Sequence, residues 1–317
     1  MSKISIVIPC YYNEGNIPVT FPVLLDNEKN FPEGTTFEYV FVDDGSGDKT
    51  FEALQKIQAQ HPAKVKVIKL SRNFGADSAS FAGFCNATGD CCVLLSADLQ
   101  DPPELIPQLF SHWQKGYKLV LAQKANREDT FMTKLLSNTY HYLVTQVLKN
   151  SPKGGFDLWL FDRTLREEIV RMNEKNFHLP TLFMWLGFEY VSIPYTRRKR
   201  EIGTSRWTLG KKVKTFIDSF VAFTYLPLRM ISIVGVLLGF LSIFYAISIM
   251  INRFISGVEV AGWSSLMIVL LFTSSFIMIS LGIIGEYLFR TLEAARNRPN
   301  FVVDLKLDET QGASKEK

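Results

Sequence analysis

Apolar residues fall in two patterns along this chain. Up to residue 226 they come in short runs separated by polar and charged positions, whereas from 231 to 285 charge almost disappears. In the first part, Ile4 to Pro9, Tyr39 to Val42, Val65 to Leu70 and Cys91 to Leu95 are β-branched or apolar runs of strand length, with helix-like segments between several of them. This rhythm predicts a βαβ sheet, and such sheets bind ligands at the carboxyl ends of their strands. Asp43, Asp44, Asn73 and Asp98 emerge there, so one polar crevice is expected. In the second part, Ile231 to Ile251 and Ser264 to Gly285 hold no charged residue, and each exceeds the roughly 20 residues that cross a hydrocarbon core. Two transmembrane helices are predicted, with a domain boundary near Arg229.

Two amphipathic segments accompany this plan. Phe131, Leu135, Leu136, Leu143, Val144, Val147 and Leu148 recur at helical spacing, which fits either a helix packed on the sheet or one lying in a membrane interface. Leu209, Val213, Phe216, Ile217, Phe220 and Phe223 form a second stripe, with Lys211, Lys212 and Lys214 beside it. A basic amphipathic helix running straight into a span belongs at headgroup depth, and Pro227 is expected to end it.

Composition refines the picture. With 317 residues and 47% hydrophobic content the chain can build a sizeable core. Net charge is only +4, but eight Lys or Arg fall between Arg197 and Lys214 with Glu201 as the sole acid. Such a stretch suits anionic headgroups or a phosphorylated ligand. It lacks the interleaved aromatics of a single-strand groove, so nucleic acid is not an expected partner. Cys10, Cys85, Cys91 and Cys92 show no paired spacing and are expected as reduced thiols. No secretory signal precedes the first strand-like run, which is expected to leave the first domain in the cytoplasm. Arg229 and the upstream cluster flank one span and Arg290, Arg296 and Arg298 the other, against Arg253 and Glu259 in the loop. Both termini are therefore expected on the cytoplasmic side, with the polar tail from Asp304 to Lys317 disordered.

Four polar segments follow or precede the apolar runs. Ser96 to Pro103 comes directly after a strand, and its Asp98 and Gln100 offer the carboxylate and amide oxygens that suit a hard divalent ion on a diphosphate. Asp101 is expected to cap the helix begun by Pro102 and Pro103. Asp43 to Asp48 supplies acceptors for ribose hydroxyls or base donors at a glycine-containing turn. Pro9 to Glu14 and Ser71 to Gly75 are ambiguous singly, but the four in this order are specific.

Those segments, IPCYYNE (8 to 14), VDDGSGD (42 to 48), SRNFG (71 to 75) and ADLQDPPE (97 to 104), continue into REIGTSRW (200 to 207), the paired spans, and GEY (285 to 287) ahead of Arg298 and Pro299. Over nearly its whole length the chain resembles the inverting GT-A glycosyltransferases, specifically the polyprenyl-phosphate sugar transferases that include dolichyl-phosphate mannose synthases and bacterial glucosyl carriers of O-antigen modification. The resemblance implies an α/β, Rossmann-like GT-A catalytic domain over 1–207, an amphipathic juxtamembrane helix over 208–228, two transmembrane helices within 229–290 and a cytoplasmic tail over 291–317, at the inner cell membrane. It implies a nucleotide-sugar donor held by Pro9, Tyr11, Asn13, Glu14, Asp43, Asp44, Asn73, Ser96, Ala97 and Asp98, with Mg²⁺ or Mn²⁺ on Asp98 and Gln100. Asp98 and Asp157 are the implied catalytic residues, Asp157 as base or as orienting group.

The implied acceptor is polyprenyl phosphate, undecaprenyl phosphate by analogy, with its phosphate at Lys124, Arg127, Lys134, Ser137, Arg200, Ser205 and Arg206. That phosphate is already largely a dianion near pH 7, so orientation by Asp157 is favoured over proton removal. UDP-glucose is the expected donor. The sequence departs from the family at Ser96, where relatives usually carry a carboxylate, which puts metal affinity or nucleotide preference in doubt. The alternatives are a non-catalytic nucleotide-sugar or lipid-binding scaffold and a polysaccharide synthase-like transferase. The two spans could also join copies into a homo-oligomer.

Overall fold

The computed structural model describes residues 1–124, 152, 156–175, 177–198, 226–256, 262–308 and 311–314. They belong to two compact units, Met1–Phe216 with Pro299–Lys317, and Ile217–Arg298. The amphipathic stripes expected over 131–148 and 208–225 lie outside the described residues.

The described strands of the first unit are β1 (Lys3–Cys10), β2 (Thr36–Asp43), β3 (Val65–Leu70), β4 (Cys91–Leu94), β5 (Leu119–Lys124), β6 (Phe156–Asp162), β7 (Tyr190–Tyr195), β8 (Val303–Asp308) and β9 (Gln311–Ser314). They form one sheet in the order β7-β5-β6-β4-β1-β2-β3-β8-β9. The four strands read from the sequence are its parallel centre, β4-β1-β2-β3. Strands covered on both faces read as continuous apolar runs, and β4 is buried at every position. Helices α1 (Ile17–Asn27), α2 (Thr50–Gln60), α3 (Ala76–Asn86), α4 (Ile106–Gln114), α5 (Arg163–Met172) and α6 (Leu179–Trp185) accompany the sheet. Phe21 of α1 meets Tyr39 and Phe41 of β2 edge to face at 5.5 and 6.0 Å, a preferred aromatic geometry. On α3, a Cβ at Gly83 would stand 2.2 Å from Val7 Cγ1, so this helix sits on β1 at a distance that only glycine permits.

Chain order sets the position of the crevice. After β1 the chain builds β2 and β3 on one side, then returns to place β4 on the other side of β1. In open α/β sheets ligands bind at such a reversal, outside the carboxyl ends of the strands that flank it, here β1 and β4. Because β6 runs antiparallel to both β4 and β5, its first residues join the same edge. At the opposite edge Glu38, 3% exposed, accepts from Ser5 Oγ at 2.5 Å and from Thr88 N and Oγ1 at 2.8 Å, and pairs with Lys66 at 2.8 Å. Burial pushes its pKa up, but these donors outweigh burial and bring it down to about 2.

The tail does not follow the expectation of disorder. Val303–Asp308 pairs antiparallel with β3, Leu307 opposite Val67 and Leu305 opposite Lys69. Ahead of it, Val302 carbonyl accepts from Ser71 N at 2.9 Å, and Asn300 Nδ2 donates to Asn173 Oδ1 and the Glu174 carbonyl. Without this strand β3 would end the sheet with an unpaired row of backbone groups, so a moderately apolar alternation (Val303, Leu305, Leu307) suffices to recruit it. Polar composition concealed that alternation.

In the second unit α7 (Leu226–Ser256) and α8 (Trp263–Arg296) are long and apolar enough to cross a membrane, over Pro227–Ile249 and Ser265–Arg296. None of either apolar window is buried within the protein, an exposure that suits lipid rather than water. Pro227 stands in the first turn of α7, where its missing N–H costs nothing. Glu286 and Arg290 pair at 3.2 Å across one turn of α8, as their spacing predicts.

Candidate functional site

The edge formed by the carboxyl ends of β1, β2 and β3 gathers the first three segments. Asp43 is fully buried at the end of β2, and its Oδ1 accepts from Ser46 N at 3.1 Å. Its Oδ2 is buried with no hydrogen-bond partner among the described residues. Burial raises the pKa of this carboxyl, with the Ser46 hydrogen bonds pulling the other way. A buried acceptor left without a donor is costly.

Asp44 is used differently. Its Oδ1 accepts from Phe74 N at 2.7 Å, and its Oδ2 from Gly75 N at 3.0 Å and Asn73 Nδ2 at 2.9 Å. It therefore shapes the Ser71 to Gly75 loop, and burial pushes its pKa up to about 6 despite those N–H groups. Gly45 has φ +65°, and a Cβ there would lie 2.4 Å from the Arg72 carbonyl carbon, so the two turns press backbone to backbone. Asn13 and Glu14 likewise brace the edge. Asn13 N donates to Thr50 Oγ1 at 2.8 Å, Asn13 Oδ1 accepts from Tyr11 N at 2.8 Å, and Glu14 Oε2 accepts from Lys49 N at 2.9 Å. Pro9, the last residue but one of β1, lies opposite Val42. Tyr12, at φ 56°, donates its N–H to Ser46 Oγ at 3.0 Å.

The second half of the site lies beyond β4. Ser96 Oγ stands 2.9 Å from Asp98 Oδ1 and 3.1 Å from Asp101 Oδ2, so one hydroxyl proton serves two carboxylates. Ala97 is buried, and its carbonyl accepts from Thr20 Oγ1 of α1 at 2.8 Å. Leu99 takes a left-handed φ of 54°, a conformation that surrounding contacts must hold. Those contacts are Gln100 N to Asp98 Oδ1 at 3.3 Å and Arg198 N to the Gln100 carbonyl at 2.9 Å. Asp98 and Gln100 are hard oxygen donors two residues apart, and among the described residues no three His, Cys, Asp or Glu side chains could cage a metal. This donor set fits an ion of the Mg²⁺ or Mn²⁺ kind whose remaining ligands come from phosphates and water.

Asp101 is not a helix cap. It is fully buried, accepts from Tyr195 Oη at 2.5 Å and from Ser96, and pairs with Arg197 at 3.5 Å, while the turn at Pro103–Leu105 has no side-chain cap. Burial raises its pKa against the opposing pull of Arg197, Tyr195 and Ser96. The end of β7 supplies this anchor, since Tyr195 is opposite Lys124 in the β5–β7 pairing. Asp157, at the start of β6, pairs with Lys124 at 2.5 Å and Arg197 at 3.0 Å. Arg197 resists burial through Asp157 and Asp101, which carry its pKa above the ordinary guanidinium value.

Of the residues implied for the acceptor phosphate, Lys124 thus stands at Asp157, whereas Arg127, Lys134, Ser137, Arg200, Ser205 and Arg206 lie outside the described residues. Sequence reasoning missed Tyr195, Arg197 and Arg198 as parts of the site. The aromatic and β-branched run Tyr190 to Tyr195 is a strand signal that points to them.

With this geometry in view, comparison with known proteins is informative. Residues 5–184 match Glycosyl transferase family 2. The prophage bactoprenol glucosyl transferase homolog of Escherichia coli is 30% identical over 95% of this chain and 98% of its own. The undecaprenyl-phosphate 4-deoxy-4-formamido-L-arabinose transferase of Photorhabdus laumondii is 31% identical over 96% and 94%. Among solved structures, mannosyltransferase PcManGT from Pyrobaculum calidifontis, in complex with GDP-Man and Mn²⁺, covers 70% of this chain and 64% of its own at 18% identity, with a TM-score of 0.48.

Proposed function

Given that the chain belongs to glycosyl transferase family 2 and carries its GT-A fold followed by two apolar helices, we propose that it transfers a monosaccharide from a nucleotide-sugar to polyprenyl phosphate at the cytoplasmic face of the membrane. The observation that carries this reading is the extent of the likeness. Relatives named for bactoprenol or undecaprenyl phosphate match through both apolar helices, far past the 5–184 family region.

The residues divide the work by chemistry. Asp43 offers its unpartnered oxygen to a donor group on the nucleoside, and Asp44 holds the Asn73 to Gly75 loop against it. Asp98 and Gln100 would hold Mg²⁺ or Mn²⁺, which supplies positive charge to the donor diphosphate and its departure. Ser96 binds Asp98 and Asp101 without adding charge. The acceptor phosphate is largely a dianion near pH 7, so the site must position and neutralise it more than deprotonate it. Asp157, held between Lys124 and Arg197, is suited to orienting the substrates. Attack by a phosphate oxygen on the anomeric carbon, opposite the departing diphosphate, inverts that carbon.

The test is transfer of labelled sugar from UDP-glucose to undecaprenyl phosphate by purified protein in detergent, with and without Mn²⁺, beside Asp98→Ala. Metal-dependent labelled lipid that disappears in the variant is expected. Failure with a full panel of nucleotide-sugars would instead favour a scaffold that binds without turnover.

A further inference from the structure

Lys124 and Arg197 reach the same oxygen atom. Lys124 Nζ lies 2.5 Å, and a terminal nitrogen of Arg197 3.0 Å, from Oδ2 of Asp157. The two cations come from adjacent parallel strands, Lys124 as the last residue of β5 and Arg197 two residues beyond β7, so backbone pairing fixes their separation. Arg197 has a second hold on buried Asp101 at 3.5 Å, which keeps it in place if Asp157 moves away. The register of β5 against β6 also shifts between Ala122 and Gln123, just where the chain brings Lys124 and Asp157 to the edge. Such irregularities re-aim side chains beside functional sites.

Two positive groups converging on one oxygen make a receptor for an oxyanion. Its present occupant is open to solvent: the Asp157 side chain is 39% exposed, against 14% for Lys124 and 35% for Arg197. A phosphate monoester near pH 7 carries nearly twice the charge of a carboxylate and three acceptor oxygens, so it forms more charge-assisted hydrogen bonds with the same two cations.

We propose that Lys124 and Arg197 form a phosphate-binding pair and that Asp157 occupies it as an internal stand-in until the phosphate of the acceptor displaces it. Arg197 thereby joins the acceptor site, and Asp157 competes with the ligand while keeping two like charges together in the empty protein. The proposal rests on the acceptor reading above for the source of the phosphate.

The experiment titrates full-length protein in detergent with farnesyl phosphate, farnesol, inorganic phosphate and UDP. Arg197→Ala should weaken farnesyl phosphate about 10- to 100-fold, the loss expected for one hydrogen bond between charged groups. Its affinity for UDP and farnesol should stay within about twofold of wild type, on the same scale. Arg197→Lys should recover part of the loss. Asp157→Asn should tighten farnesyl phosphate severalfold while slowing transfer, a sign that a structural role would not produce.

Weaker farnesyl phosphate binding in Asp157→Asn would overturn the proposal, and so would an Arg197→Ala defect confined to UDP. Should Arg197→Ala fail to fold, the sign for Asp157→Asn decides. Inorganic phosphate binding as tightly as farnesyl phosphate would identify a free-phosphate site and overturn the lipid assignment. If wild type makes labelled lipid and Arg197→Ala keeps its acceptor KM, the pair is wrong and the reaction stands. If the binding signs hold but no sugar is transferred with any donor, the pair stands and the reaction is wrong.

Discussion

Tyr195→Phe tests whether Asp101 is the buried hub that ties β7 to the Ser96 to Gln100 loop. The substitution keeps the ring and removes one hydroxyl, which donates to Asp101 Oδ1 at 2.5 Å. The carboxylate stays buried with Ser96 and the longer Arg197 contact as its remaining partners in that group. A hydrogen bond to a charged, buried acceptor contributes about 1.5–3 kcal/mol. For a unit of this size, each kcal/mol moves Tm by about 2–4 °C, so a fall on the order of 3–12 °C is expected at pH 8.

The pH dependence gives the sharper reading. Burial already raises the folded pKa of Asp101 above 3.8, and the Tyr195 hydrogen bond is among the groups holding it down. An acid with a raised folded pKa loses stability as pH rises from its unfolded value through its folded one. Losing the Tyr195 hydroxyl raises the folded value further, so the defect should be full at pH 8 and shrink as pH falls toward 4 and Asp101 takes up its proton. Thermal unfolding in detergent at both pH values measures it. An equal Tm deficit at pH 4 and pH 8, or none at pH 8, would refute the hub.

Three other outcomes follow from the same structure. Gly45→Ala combines a φ of +65° with a Cβ 2.4 Å from the Arg72 backbone, so titration with UDP should show nucleotide binding weakened about 5- to 150-fold, reflecting a strain of about 1–3 kcal/mol. Ser96→Asp adds a third carboxylate beside Asp98 and Asp101; Tm should fall without metal, and the Tm gain on adding Mn²⁺ with UDP should exceed that of wild type. Glu38, with its pKa lowered from 4.5 to about 2, contributes stability that is complete above pH 4.5 and lost as pH falls toward 2. Glu38→Gln should remove about 2–3 kcal/mol at neutral pH and flatten the denaturation profile between pH 4.5 and 2.

Much of the site was legible because its residues lie at the ends of short apolar strands. Ile4 to Pro9, Tyr39 to Val42, Val65 to Leu70 and Cys91 to Leu95 announce a parallel centre, and Asp43, Asp44, Asn73 and Asp98 come next in the chain, so locating the strands locates them. Local contacts then explain Ser96, two residues from Asp98 and five from Asp101. The two apolar helices were equally legible, since an uncharged run of membrane length has few other fates.

What required the folded chain is every pairing across long sequence separations. Asp101 reads locally as a cap because Pro102 and Pro103 follow it, yet a tyrosine 94 positions later takes its carboxylate. Asp157 reads from the sequence as a base or an orienting group, and only the fold brings Lys124 and Arg197 together on one of its oxygens. Asp43 and Asp44 are indistinguishable as neighbours in sequence. The sheet buries an oxygen of one with no donor among the described residues and gives the other to the Asn73 to Gly75 loop. The tail is the plainest case: its polar composition describes the residues correctly, but the unpaired edge of β3, created more than two hundred positions earlier, decides that Val303–Asp308 becomes a strand. Strand periodicity and solvent preference are properties of neighbouring residues. Partners for buried charges and open edges are properties of the whole fold, because burial makes an unmet hydrogen bond expensive only once the chain has closed around it.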